Sequence, residues 1–139
     1  MTGPMTTLLE VQNLNVGFRQ DGAVTHAVRG VSFPVTRGEV VALVGESGSG
    51  KSVSALSTVS LLGDSAEVTG SVKYDGQELI GADERLLRQV RGNDISFIFQ
   101  EPMSSLNPLH TIEKQLAESL ALHQGILGAQ ALCRVLELL

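Results

Sequence analysis

Eight consecutive residues, GESGSGKS at positions 45–52, place three glycines, a lysine and a hydroxyl side chain in the order G-x-x-x-x-G-K-[ST]. That order suits the binding of a phosphate chain. Glycines let successive backbone N–H groups converge on an anion with no Cβ in the way, and a helix starting just after them adds partial positive charge. Lys51 is placed to reach the outer two phosphates as a point charge, and the Ser52 hydroxyl to ligate Mg²⁺. Glu46 and Ser47 shape the loop, with no chemistry that spacing alone assigns.

Such a loop works only between a buried strand and a helix start, and the flanking sequence has that pattern. Residues 40–44, VVALV, form a continuous apolar run rich in β-branched side chains, the signature of a strand covered on both faces. After the loop, Val53, Leu56, Val59 and Leu62 recur close to helical spacing. Upstream, residues 8–18 and 27–35 alternate apolar and polar, predicting two half-buried strands joined by a turn at Asp21-Gly22, with a second turn over residues 36–39. Downstream, residues 68–74 and 77–80 predict a hairpin turned at Asp75-Gly76, residues 83–90 a helix, and residues 95–99 (ISFIF) a second apolar core strand. Beyond Pro102 the pattern is helical. Ile112, Leu116 and Leu120 follow a cap at Thr111, Gly125 and Gly128 break that helix, and Leu132, Val135, Leu136 and Leu139 mark an amphipathic one. The chain stops on that stripe, which predicts a piece of something longer.

Composition narrows the functional classes. Ten Lys and Arg against fifteen Asp and Glu give a net charge of −5, too acidic to gather DNA or RNA, so no nucleic-acid partner is expected. Cys133 is the single cysteine, which excludes an intramolecular disulfide and predicts a small buried apolar residue. No apolar run approaches the roughly 20 residues that span a bilayer, and the first ten residues lack a signal-peptide pattern, so a cytoplasmic location is expected.

GESGSGKS, together with FQEPMSSLNPLHTI at positions 99–112, resembles the ATP-binding subunits of ABC transporters, and more narrowly the dipeptide, oligopeptide and nickel import branch. The second segment is the more discriminating. The likeness runs the length of the chain. It implies an α/β fold: a P-loop NTPase (RecA-like) core with an antiparallel β subdomain and the start of a helical subdomain, truncated. Residues 1–100 would hold the partial core with its Walker A loop and Q-loop, and residues 101–139 the beginning of the helical part. In this core, residues 40–44 and 95–99 would be neighbouring or near-neighbouring parallel strands.

The resemblance also implies a site. ATP and Mg²⁺ would be held by Gly45, Glu46, Ser47, Gly48, Ser49, Gly50, Lys51, Ser52 and Val53. Gln100 would be the Q-loop glutamine, joining the metal shell beside Ser52 or orienting the attacking water, with Lys51 as the other catalytic residue. Phe18 resembles the aromatic residue that stacks on adenine; the family often has Tyr there, and His26 is the alternative stacker. Implied partners are a second ATPase subunit, as homo- or heterodimer, membrane permease subunits, and indirectly a substrate-binding protein. The location implied is peripheral, on the inner face of the cell membrane. Pro102, Met103 and Leu106 would face the permease.

The family's LSGGQ-type signature, Walker B strand and switch histidine have no match here, since Gln100 stands where Walker B needs aspartate, and His110 and His123 precede any such strand. Those two histidines are expected in solvated or capping roles. The chain alone is therefore expected to be inactive, either as part of a longer ATPase or as a nucleotide-binding remnant. A small-molecule P-loop kinase fits less well, because a long β-patterned stretch precedes Gly45. Strands missing from the core would leave a sheet edge and the last leucine stripe open to water, which predicts marginal stability or self-association.

Overall fold

The two Asp-Gly pairs set the register of a four-stranded antiparallel sheet. In the computed structural model, which describes residues 6–101 and 105–139, β1 (Thr7–Gln20) and β2 (Ala23–Thr36) are joined at Asp21 and Gly22, with φ of 51° and 80°. β3 (Ala66–Tyr74) and β4 (Gln77–Glu78) are joined at Asp75 and Gly76, with φ of 46° and 81°. Paired left-handed residues make a two-residue turn whose twist matches the strands it connects. β3 lies along the other side of β1, giving the order β2-β1-β3-β4.

β1 departs from simple alternation. Its buried apolar side chains are Val11, Leu14 and Val16, a spacing of three and then two, because the pairing slips around Asn13, whose φ is 46°. Side chains replace the interrupted ladder: the Asn13 amide donates to Ser32 Oγ (2.8 Å), Asn15 Nδ2 to the Asn13 carbonyl (2.7 Å), and the Gly30 amide to Asn15 Oδ1 (2.8 Å). Gly70 allows the bulge to sit against β3, since a Cβ there would lie 2.4 Å from the Asn13 carbonyl oxygen.

The chain divides into two units, one running to Arg88 and one from Gln89 to Leu139. In the first, Val11, Leu14 and Val16 of β1, Val28 of β2 and Val72 of β3 are buried, as are Val59 and Leu79. Each such side chain contributes about 1.5–3 kcal/mol relative to exposure. Helix α1 (Lys51–Ser57) packs on β1 and β2 and is shorter than its apolar spacing predicts. Helix α2 (Glu84–Val90) begins at Asp83, whose carboxylate accepts from the Leu86 amide at 2.8 Å.

In the second unit, α3 (Ile112–Gln124) starts at the expected cap, with Thr111 Oγ1 accepting from the Lys114 amide, and ends at left-handed Gly125. α4 (Gly128–Leu138) packs on α3 through Ala131 and Val135. Leu132, Leu136 and Leu139 of the predicted stripe are exposed. Cys133 is exposed too, a correction to its expected burial, because α4 turns the Ala131 and Val135 side inward instead.

Residues 40–44 and 95–99, expected as buried core strands, are in neither case paired as strands. Val40 and Val44 are 97% and 93% exposed and Ile98 is 95% exposed. A parallel strand exists only through hydrogen bonds to neighbours, and among the described residues the one parallel link is an isolated bridge between Arg91 and Ile95.

Glu78 closes the β3–β4 end. Partial burial pushes its carboxyl up, but hydrogen bonds from Ser71 Oγ and from the Val72, Ile80 and Leu79 amides outweigh that and hold it below its ordinary value. A depressed carboxyl stabilises the fold above its unfolded pKa, and that contribution fades as pH falls through the folded one. Thermal melting followed from pH 6 to pH 3 should therefore show a flatter acid loss of Tm for Glu78→Gln than for wild type; equal slopes would remove Glu78 from the account.

Candidate functional site

The glycine loop connects the exposed run 40–44 to α1. Gly48 and Gly50 have φ of 79° and 88°, conformations that side-chain-bearing residues adopt only with strain, and the Ser49 amide donates to the Glu46 carbonyl at 3.2 Å. Gly50 is the residue immediately before α1 and offers no side-chain cap, so the helix start rests on backbone alone. A Cβ at Gly50 would lie 2.5 Å from the Ala27 carbonyl oxygen and 3.2 Å from Val28 Cγ2. Strand β2 is thus the surface that fixes the loop, and only glycine fits the contact.

Lys51 arches back over the loop. Its ammonium donates to the carbonyls of Gly45 (2.8 Å) and Glu46 (2.6 Å) and to Ser49 Oγ (3.1 Å). The positive charge therefore stands directly on the glycine turn. Gly45 is constrained from the same side, since a Cβ there would approach Ser49 Oγ to 2.6 Å. Ser52 is exposed at the first turn of α1, Val53 is half-buried, and Glu46 and Ser47 are exposed.

The other sequence-derived candidates are distributed differently. Phe18 is half-buried on β1, paired with Thr25 on one side and Ala66 on the other. His26 is exposed on β2, next in the chain to the Ala27 carbonyl that touches Gly50. Both belong to the unit that holds the loop, whereas Gln100 is exposed in the other unit. Pro102 and Met103 lie outside the described residues; Leu106 is exposed. His110 and His123 are both exposed, with Lys114 Nζ 3.3 Å from His110 Nδ1 and the His123 ring against Gly92.

Two parts of the site carry no signal in the sequence. Ser49 occupies a variable position of the motif, so nothing marks its hydroxyl as a partner of Lys51. Ala27 and Val28 lie more than twenty residues from Gly50, and their contact with it depends on how the hairpin packs. Among the described residues no group of three or more His, Cys, Asp or Glu is arranged to hold a metal ion.

A left-handed glycine turn, a lysine folded over it and a helix starting at its last glycine make a P-loop. The family profile described as ABC transporter matches residues 28–137, most of the sequence, and the chain belongs to that family. It is 58% identical over 134 residues to the peptidoglycan transport ATP-binding protein YejF of Agrobacterium fabrum, covering 95% of this chain and 24% of that protein. It is 49% identical over 127 residues to the oligopeptide transport ATP-binding protein OppD of Mycobacterium tuberculosis, covering 91% and 21%. A putative peptide import ATP-binding protein of Brucella abortus is 47% identical over 133 residues, covering 95% and 40%. The chain thus spans well under half the length of these relatives. A solved structure, the dimeric ATP-binding cassette MJ0796 bound to ADP and Pi, superposes with a TM-score of 0.78 at 26% identity, covering 94% of this chain and 55% of that one. The fold is accordingly that of an ABC ATPase, represented here by its antiparallel sheet, P-loop and part of its helices. No helix among the described residues is long and apolar enough to cross a membrane.

Proposed function

We propose that residues 45–52 bind the phosphates of ATP with Mg²⁺, and that the chain acts within a longer ABC ATPase that energises peptide import. The observation that carries the reading is the Lys51 ammonium lying over a turn in which Gly48 and Gly50 take left-handed conformations. Two features support the reading: a cation stands on a glycine turn at a helix start, and a Cβ at Gly50 would press on the Ala27 carbonyl oxygen and push the loop from β2.

Within that reading Lys51 exchanges its bonds to loop carbonyls for bonds to phosphate oxygens, and Ser52 supplies the protein oxygen to the cation. Magnesium neutralises charge on the phosphates when bound and takes few protein ligands, which agrees with a site where a single hydroxyl is offered. Gln100 is proposed as the second polar contact to metal or water, and Phe18 or His26 as the adenine stacker. Peptide cargo is favoured over nickel because the three relatives above are described as carrying peptides, oligopeptides or peptidoglycan. A second ATPase subunit and membrane permeases would be the partners, the former consistent with the dimeric structural neighbour.

Titrating a fluorescent ATP analogue in Mg²⁺ and in EDTA tests the site. Wild type should bind more tightly with Mg²⁺, and Ser52→Ala should lose about tenfold of that enhancement while leaving the EDTA affinity within twofold. Mg²⁺ enhancement that survives in Ser52→Ala would remove Ser52 from the metal site, and no saturable binding by wild type would end the ATP reading.

A further inference from the structure

A lysine ammonium has three N–H donors and no acceptor, and Lys51 meets as many acceptors within the loop as it has donors. Two are backbone carbonyl oxygens, of Gly45 at 2.8 Å and of Glu46 at 2.6 Å. The third is Ser49 Oγ at 3.1 Å, the longest contact of the three and the only one to a side chain. All three acceptors are uncharged, so none matches a phosphate oxygen for the lysine charge.

The Ser49 hydroxyl is held in that place from a second direction. A Cβ built at Gly45 would lie 2.6 Å from Ser49 Oγ, 3.4 Å from Ser49 Cβ and 3.8 Å from Lys51 Cδ. Ser49 is therefore folded back across the turn towards Gly45, with the stem of Lys51 beside it. Hydroxyl and ammonium meet over the first residue of the loop, and any side chain at position 45 would part them.

A phosphate oxygen that takes a hydrogen bond from Lys51 has to displace one of these acceptors. Ser49 yields most readily, since one side-chain rotation removes its oxygen, whereas the Gly45 and Glu46 carbonyls move only with the loop backbone. We infer that Ser49 is a positioning residue that acts through Lys51: its hydroxyl competes with phosphate for the ammonium and so loosens the hold of the loop on a nucleotide. The competition rests on the phosphate reading above; the contact between Ser49 and Lys51 does not. Its sign is distinctive. A hydroxyl that bound phosphate directly would weaken affinity when removed, whereas one that occupies the lysine strengthens affinity when removed, because only the competing state loses a bond.

Titration of the ¹⁵N-labelled chain with Mg-ADP, read from amide shifts so that weak binding is measurable, tests the sign. Ser49→Ala should bind about three- to tenfold more tightly than wild type, the range that one net hydrogen bond allows. Ser49→Cys, which keeps the shape of the side chain and offers a poorer acceptor, should also bind more tightly, so the test does not hang on one variant. In a Lys51→Ala background the gain should vanish, since no ammonium is left to release; a general loosening of the loop would not depend on Lys51. Weaker or unchanged affinity in Ser49→Ala overturns the inference, as does a gain that persists without the lysine. A wild type that gives no saturable shifts sinks the phosphate reading, and the competition with it. Exchange of the Lys51 ammonium protons with water, expected to be faster in Ser49→Ala than in wild type with no nucleotide added, then judges the contact alone, and equal exchange rates would overturn that too.

Discussion

Replacing Lys51 by alanine is expected to lower the affinity of the chain for Mg-ATP by about 10- to 100-fold. Hydrogen bonds to charged groups contribute about 1.5–3 kcal/mol each, and 1.4 kcal/mol is a factor of ten in affinity. Lys51 is the cation folded over the glycine turn, and its removal leaves phosphate to the loop amides alone. The fold should be little affected, because Lys51 is only half-buried and its loop bonds lie at the surface. Isothermal titration with Mg-ATP, beside a thermal melt, separates the two effects. An alanine variant that binds as tightly as wild type would mean that the lysine faces something other than phosphate.

Gly50→Ala is expected to damage both stability and binding. The position has φ of 88°, and the new Cβ would lie 2.5 Å from a backbone oxygen of β2, an atom that cannot rotate away. The left-handed conformation alone costs an alanine about 1–2 kcal/mol, and the clash adds to it. With roughly 4–8 °C per kcal/mol for a small domain, Tm should fall by about 10 °C or more, and ATP affinity at least tenfold as the loop leaves β2. Gly48→Ala is the internal comparison: its φ is 79° but no atom lies within 4 Å of the added Cβ. It should show the conformational cost without the clash. Equal melting of the two alanine variants would mean that the Ala27 contact does not hold the loop.

What the sequence made legible is what depends on near neighbours in the chain. Asp21-Gly22 and Asp75-Gly76 specify their turns because two successive left-handed residues are demanded there, and Thr111 specifies the α3 start because its hydroxyl meets an amide three residues on. The loop at 45–52 is of the same kind, its meaning contained in eight residues. Where meaning depends on distant partners, sequence reading went astray or stayed silent. Residues 40–44 have the composition of a buried strand, but composition cannot supply the neighbouring strands, and Val40 and Val44 stand exposed. The β1 bulge leaves a mark in the sequence, where Gln12 and Asn13 put two polar residues between Val11 and Leu14, but its partner does not: the approach of Gly70 to Asn13 depends on how β3 pairs with β1. Cys133 was misplaced because α4 offers two apolar sides and only packing on α3 selects Ala131 and Val135. Family resemblance supplied the fold that periodicity alone could not. The roles of Phe18, His26 and Gln100 still rest on that resemblance, since the described geometry joins only the loop residues themselves with β2.

The central claim is that residues 45–52 form a phosphate cradle, and amide chemical-shift mapping of the ¹⁵N-labelled chain tests it most directly. Titration with ADP and Mg²⁺ should give saturable shifts that are largest at Gly48, Ser49, Gly50, Lys51 and Ser52, and inorganic pyrophosphate should move the same amides while adenosine leaves them in place. Saturable shifts centred elsewhere, or loop amides that respond to adenosine and not to pyrophosphate, would contradict the account.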